Sequence, residues 1–118
     1  MPELAMIIED DEDLSEIFGQ ALTAAHFNVE IVRDGTVAQR RLKELKPDVV
    51  ILDMHLPNIP GIDLLRQIRE DHRLEKTRVV ITTADALMGE SYRNQADLVL
   101  IKPITFTQLR DLTSRLHR

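Results

Sequence analysis

Short aliphatic runs alternate along this chain with stretches whose apolar residues recur at helical spacing. The runs are Ala5 to Ile8, Val29 to Val32, Val49 to Leu52, Val79 to Ile81 and Leu98 to Ile101. Each is too short for a helix and predicts a strand, and Val49 to Leu52, aliphatic at every position and closed by a Pro-containing loop, reads as a strand in the middle of a sheet covered on both sides. Between the first two, Leu14, Ile17, Phe18, Ala21, Leu22 and Ala25 follow i, i+3, i+4, i+7, i+8, i+11 and predict a helix, with Asp13 and Glu16 placed as its capping box. Ala38, Leu42 and Leu45 mark a second helix ending before Pro47, and Ile62, Leu65 and Ile68 a third opening after Pro60-Gly61. Phe106, Leu109, Thr113 and Leu116 mark the last, capped by Thr105 and Gln108, while residues 85–94, interrupted by Gly89, form the weakest. Strands alternating with helices imply right-handed crossovers, hence an α/β fold with a doubly wound parallel sheet and helices on both faces.

Composition narrows the classes of function. With 118 residues and no internal repeat or linker, the chain is expected to be a single domain spanning residues 1–118. It has no cysteine, which excludes disulfides and thiolate metal sites. The N-terminus lacks a basic segment followed by a long apolar one, and no apolar run approaches membrane-spanning length, so a cytoplasmic chain without membrane contact is expected. Twenty acids against 15 bases give a net charge of -5, unfavourable for nucleic acid or anionic lipid, and an aromatic content of 3% offers no stacking platform. Any DNA binding would belong to a separate module.

The strand ends carry the chemistry. The first strand runs into Glu9-Asp10-Asp11, the third into Asp53, the fourth into Thr82-Thr83 and the fifth into Lys102-Pro103. In an open α/β sheet these C-terminal ends share the edge where ligands bind. Glu9, Asp10 and Asp53 would repel one another and raise their own pKa values unless a cation joined them. Mg²⁺, which takes oxygen ligands from a couple of carboxylates together with phosphate, is the expected guest. Beside it Lys102 would neutralise phosphoryl oxygens, Thr83 would donate a hydrogen bond, and Asp53 could attack phosphorus to give an acyl phosphate. Successive strand residues face opposite ways, and the small Ala84 that follows favours Thr83 over Thr82.

The segments IIEDDEDL, VVILDMHLPNIPG, VVITTAD and LIKPI, in this order and spacing, resemble the receiver domain of two-component response regulators over nearly the whole chain. The resemblance implies a flavodoxin-like five-stranded sheet of order 2-1-3-4-5 and Mg²⁺-dependent phosphorylation of Asp53. The donor would be a sensor histidine kinase or histidine phosphotransfer protein. It implies that Glu9 and Asp10 form the acidic pair, that the His55 backbone carbonyl joins the metal ligands, and that Thr83 is the switch hydroxyl. Ala84 would leave room for the phosphoryl group, Lys102 would be the site lysine, and the Lys102–Pro103 bond would be cis. The output would pass to a downstream protein or a fused effector domain through a switched interaction face. Such a domain catalyses only its own phosphorylation and dephosphorylation and is not expected to be an enzyme.

Departures from that family pattern and plainer readings weigh against some of these assignments. Val99 stands where many receivers place an aromatic switch residue, Gln95 and Ile104 replace a common Gly and Phe, and Gln108 and Leu112 replace the ion-pairing residues of one dimer type. Signal would therefore travel through the backbone of residues 83–91. His55 and Asp85 flank the pocket and could tune phosphate lifetime. Asp53 alone could be a turn residue, Glu9 and Asp10 could serve a helix dipole, and Lys102 could snorkel to solvent; their coincidence at one rim favours the site. His26, His72 and His117 fall on exposed helix ends or loops without a role, and Met54 and Met88 are expected to pack. Two alternatives remain. An Mg²⁺-dependent aspartyl-phosphate phosphatase or phosphotransferase would want an acid where His55 stands, and a phosphorylation-independent scaffold would not need the intact acid, Thr and Lys set. Arg118 falls about where the last helix should finish, which fits a free-standing receiver or one cut from a longer protein.

Overall fold

The computed structural model describes residues 3–117. Five parallel strands, β1 (Leu4–Ile8), β2 (Asn28–Val32), β3 (Val49–Asp53), β4 (Arg78–Thr83) and β5 (Leu98–Ile101), are ordered β2-β1-β3-β4-β5. The helices α1 (Glu12–Ala24), α2 (Gly35–Glu44), α3 (Gly61–Glu70), α4 (Ala86–Ser91) and α5 (Phe106–Thr113) cover both faces, with 3₁₀ turns at His72–Leu74 and Ser114–Leu116. Both expectations, the doubly wound sheet and its 2-1-3-4-5 order, describe this architecture.

Strand alternation divides the core in two. Met6, Ile8, Val50, Leu52, Val79 and Ile81 face α2 and α3, where Leu42, Leu64, Leu65 and Ile68 are fully buried. Ala5, Ile7, Val49, Ile51 and Val80 face the other way, onto Phe18 and Leu22 of α1 and Leu109 of α5. Every residue of the central β3 is buried, whereas the edge strand β2 is partly exposed. There Glu30 is held by Arg41 through a two-pronged contact of 2.7 and 2.8 Å, which places charge on a strand edge that could otherwise recruit another strand.

Several boundaries differ from the pattern-based expectation. The cap of α1 is Asp11, whose carboxylate accepts from the Leu14 N–H at 2.9 Å; Asp13 and Glu16 lie within the helix and make no capping box. The cap sits two residues closer to the strand because the β1–α1 connection is shorter than the apolar spacing alone reveals. Leu45 lies just past the end of α2 but still packs on the core. Helix α4 has six residues, shorter than the span 85–94, with Asp85 as its cap. The Thr105–Gln108 capping box of α5 is present as expected.

His117 is not an idle chain end. Its ring stacks on Phe27 with centroids 3.9 Å apart and planes 11° from parallel, while its two nitrogens meet the Ala25 carbonyl and the Glu3 carboxylate. Both partners are acceptors, so the arrangement wants both nitrogens protonated. The Ala25 carbonyl is the main influence holding the imidazolium above its ordinary 6.5, with partial burial opposing and Glu3 and Asp48 adding to it. The contact ties the segment after α5 to the α1–β2 loop, where His26 takes a left-handed φ of 72°.

Gly61 opens α3 against the end of β3. A Cβ there would lie 2.6 Å from the Met54 Cα and 2.9 Å from the Asp53 carbonyl oxygen, and backbone atoms in a buried strand end cannot yield. Gly61→Ala is therefore expected to destabilise the protein by roughly 1–3 kcal/mol, the cost of overpacking, measured by urea unfolding. A change indistinguishable from zero would show that α3 can move away from β3 freely. A second expectation follows from His117. Because its folded pKa is raised, its contribution to stability is complete below 6.5 and is lost as pH rises through the raised value. Thermal melts should show melting temperature falling above that pH, with His117→Phe flattening the decline; parallel curves for the two proteins would show that the ring carries no linked proton.

Candidate functional site

Chain direction brings the C-terminal ends of all five strands to one rim. Glu9 continues the β1 ladder, its N–H donating to the Val32 carbonyl at 3.1 Å, and its side chain is buried. The acidic run that follows is divided by function. Asp10 is exposed at the rim, Asp11 caps α1 while its N–H donates to Glu9 Oε2 at 3.2 Å, and Glu12 and Asp13 lie in the first turn, where the helix dipole favours negative charge. Asp53 ends β3, 2% exposed, and its Oδ1 accepts from the His55 N–H at 3.1 Å.

One carboxylate oxygen from each of Glu9, Asp10 and Asp53 lies within 4.8 Å of the other two. Among the described residues a single cation reaches into this cluster: the Lys102 ammonium donates to Glu9 Oε1 at 2.8 Å and lies 3.6 Å from Asp53 Oδ1. Burial is what chiefly pushes the Glu9 carboxyl up, from 4.5 to about 7; its bonds from Lys102 and Asp11 pull the other way, and the charge of Asp53 adds to the rise. Mutual repulsion is thus the smaller part of the effect expected from the sequence, because Glu9 sits deeper than its place in an acidic run implies. Burial also works against the charged lysine, but the Glu9 bond and the charges of Asp53 and Glu9 outweigh it and hold the ammonium above its ordinary value. Three carboxylates against one ammonium leave an excess of negative charge and only oxygen donors, which suits a hard divalent cation.

The Lys102–Pro103 peptide is cis, and the Lys102 N–H donates to the Thr83 carbonyl at 2.8 Å, extending the β4–β5 pairing by one step. Thr83 itself is fully buried. Its hydroxyl lies 3.3 Å from His55 Nε2, accepts from the Asp85 N–H at 3.0 Å and lies 3.9 Å from the Met88 sulfur. Ala84, next along, is exposed at the rim. Glu9, Asp10, Asp53 and Lys102 are therefore in one cluster, and Thr83 joins it through His55.

Two features were not legible in the residue pattern. The His55–Thr83 contact depends on how the loop after Asp53 turns, and a histidine on a loop carries no periodic signal. Asp85, expected to flank the pocket, spends its carboxylate on the Leu87 and Met88 N–H groups at the start of α4. Met88 and Met54 do pack against the core.

Residues 5–114 match the family model described as the response regulator receiver domain. The phosphate regulon transcriptional regulatory protein PhoB of Rhizobium meliloti is 34% identical over 112 residues, covering 92% of this chain and 49% of that protein. The chain spans about half the length of the curated regulators of this kind. Among solved structures, the chemotaxis response regulator CheY4 of Vibrio cholerae superposes with a TM-score of 0.89 at 19% identity, covering 99% of this chain and all of that one. The receiver domain of the sensor histidine kinase PA1611 of Pseudomonas aeruginosa, described with a magnesium ion coordinated in its active site cleft, superposes at 0.86 with 23% identity over 98% of both chains. Those two likenesses bear on the fold, and the matches in sequence bear on the family. This chain belongs to the response regulator receiver domains.

Proposed function

We propose that residues 1–118 act as one phosphoryl-accepting switch, with Asp53 the acceptor of a phosphoryl group from a phosphohistidine on a sensor kinase or phosphotransfer protein. The observation that carries this reading is the cluster itself: a buried carboxylate at the end of the central strand, two further carboxylates within 4.8 Å, and an ammonium 3.6 Å away. An Asp53 oxygen forms a bond to phosphorus as the phosphorus–nitrogen bond breaks, and the imidazole leaves with the electron pair and takes up a proton. Lys102 is placed to meet charge developing on the phosphoryl oxygens. Thr83 supplies a hydroxyl once it leaves His55, and the small Ala84 beside it leaves the rim open.

Glu9, Asp10, Asp53 and the His55 backbone carbonyl are the groups we assign to Mg²⁺. When bound, Mg²⁺ supplies charge neutralisation that lets an anionic donor approach an acidic rim. The domain's chemistry is confined to its own phosphorylation and dephosphorylation, in a cytoplasmic setting, and the signal passes to a downstream protein or a fused effector domain. A turnover phosphatase is disfavoured by His55, which stands where a second acid would be wanted, and a mere scaffold by the preserved cluster.

With Mg²⁺ and acetyl phosphate the protein is expected to gain one phosphoryl group by intact mass, labile to hydroxylamine, and Asp53→Asn to gain none. Equal phosphorylation of Asp53→Asn would remove Asp53 from its role. Mg²⁺ is also expected to raise the melting temperature by mass action, with Asp10→Ala abolishing most of the response. An unchanged Mg²⁺ dependence in that variant would place the ion elsewhere.

A further inference from the structure

Thr82 pairs with Asp53 on one side and Leu100 on the other. Residues paired across parallel strands project from the same face, so Thr82 stands on the Asp53 face of the sheet, while Thr83 turns to the opposite face and reaches Met88. Glu9 follows Ile8, the partner of Leu52, and so falls in the same row: Glu9, Asp53, Thr82, Leu100. Lys102, two residues past Leu100, has that row's parity.

Lys102 lies beyond β5, yet its ammonium is 2.8 Å from Glu9 Oε1 and 3.6 Å from Asp53 Oδ1. Strand β3 is two strand spacings away, about 9–10 Å. The register sets Lys102 level with Ala84, so the lysine stem reaches across the C-terminal end of β4, where Thr82 stands on the face toward Asp53. Thr82 is 0% exposed, and its hydroxyl is the one buried side-chain polar atom without a hydrogen-bond partner among the described residues. A buried unpartnered hydroxyl costs stability that an isosteric valine would not. The β4 positions before it, Val79, Val80 and Ile81, are all aliphatic.

We propose that Thr82 is a positioning residue of the phosphoryl site: its hydroxyl accepts a hydrogen bond from the Lys102 ammonium when phosphorylation of Asp53 draws that ammonium away from Glu9. An ammonium has three donors, of which Glu9 engages one at 2.8 Å while Asp53 lies 3.6 Å away. A hydroxyl can accept from Lys102 while donating to an oxygen on Asp53, a pairing that no aliphatic residue in the row could offer. The unpartnered state seen with Lys102 on Glu9 is thus one end of the lysine's travel. The inference rests on Asp53 being the phosphoryl acceptor.

Thr82→Val and Thr82→Ser test it in the full chain. Thr82→Val is expected to melt at or above the wild-type temperature and to keep the wild-type Mg²⁺ response, since neither depends on the hydroxyl. Its limiting rate of phosphorylation by acetyl phosphate should fall roughly tenfold, as for a lost hydrogen bond to a charged group, with half-saturation unchanged. Thr82→Ser should restore the rate. Wild-type phosphorylation kinetics in Thr82→Val would overturn the proposal, as would failure of Thr82→Ser to rescue. A marked fall in melting temperature for Thr82→Val would also overturn it, by showing that the hydroxyl already has a partner before phosphorylation. Wild-type protein that gained no phosphoryl group would overturn the acceptor assignment and this inference together.

Discussion

Like charge held at close range is the constraint around which this molecule is arranged. Glu9 and Asp53 are nearly excluded from water and Asp10 stands at their edge, with their oxygens within 4.8 Å of one another. In the interior such a cluster is far from its lowest free energy: burial chiefly, and the Asp53 charge in addition, push the Glu9 carboxyl up to about 7. It persists because a hydrogen-bonded framework holds the strand ends that carry it. The three carboxylates come from the ends of β1 and β3, adjacent strands in the fully buried middle of the sheet, so moving them apart would mean breaking the ladder between them. Lys102 tempers the repulsion from the far side of β4 without cancelling it. The surplus of negative charge is what makes the rim a place for a cation.

Close backbone approach fixes the geometry around that cluster. Gly61 lets α3 press against the Asp53–Met54 peptide, so the end of β3 is clamped from one side. Asn58, with φ of 72°, turns the intervening loop and donates to Asp34 Oδ2 at 2.8 Å. Asp34 meanwhile caps α2 with its other oxygen, so the β2–α2 and β3–α3 loops are tied together at the rim. The rim that carries the acidic cluster is cross-braced because helix starts and loops share their polar groups there.

How much of this could be read from residues alone depends on whether a feature is periodic. The five strands, both core faces and the gathering of Glu9, Asp53 and Lys102 follow from aliphatic runs that stop at charged residues, because a parallel sheet sends all its C-termini to one edge. Asp11 rather than Asp13 capping α1 could not be read, since three acids in succession look alike until the loop length is known. His117 was invisible for a related reason: its partners Glu3, Ala25 and Phe27 are near only in space. The case of Thr82 and Thr83 is instructive. Alternation says that the two face opposite ways, but only the register Asp53↔Thr82 says which of them shares the face of the acid.

The same register explains why an aromatic residue is not needed to connect the rim with the far helix. A Cβ on Gly89 would lie 2.9 Å from the Ile101 Cδ1, 3.0 Å from the Val99 Cγ1 and 3.2 Å from the Thr83 Cγ2. Helix α4 thus rests directly on β5 and on the methyl of Thr83, with no side chain between. In a receiver with a large residue at position 99, a ring could fill the space that the hydroxyl-bearing side chain vacates. Here Val99 is half-buried and short, and a β-branched residue has few rotamers with which to respond. Any movement of Thr83 toward the acidic cluster withdraws a surface on which α4 leans. That helix has only six residues, so little internal hydrogen bonding opposes its adjustment. Asp85 caps it through two N–H groups while the Asp85 N–H itself donates to Thr83 Oγ1, which ties the first turn of α4 to the hydroxyl by a hydrogen bond as well as by contact. The glycine that makes the helix weak in isolation is also what lets it sit close enough to be moved.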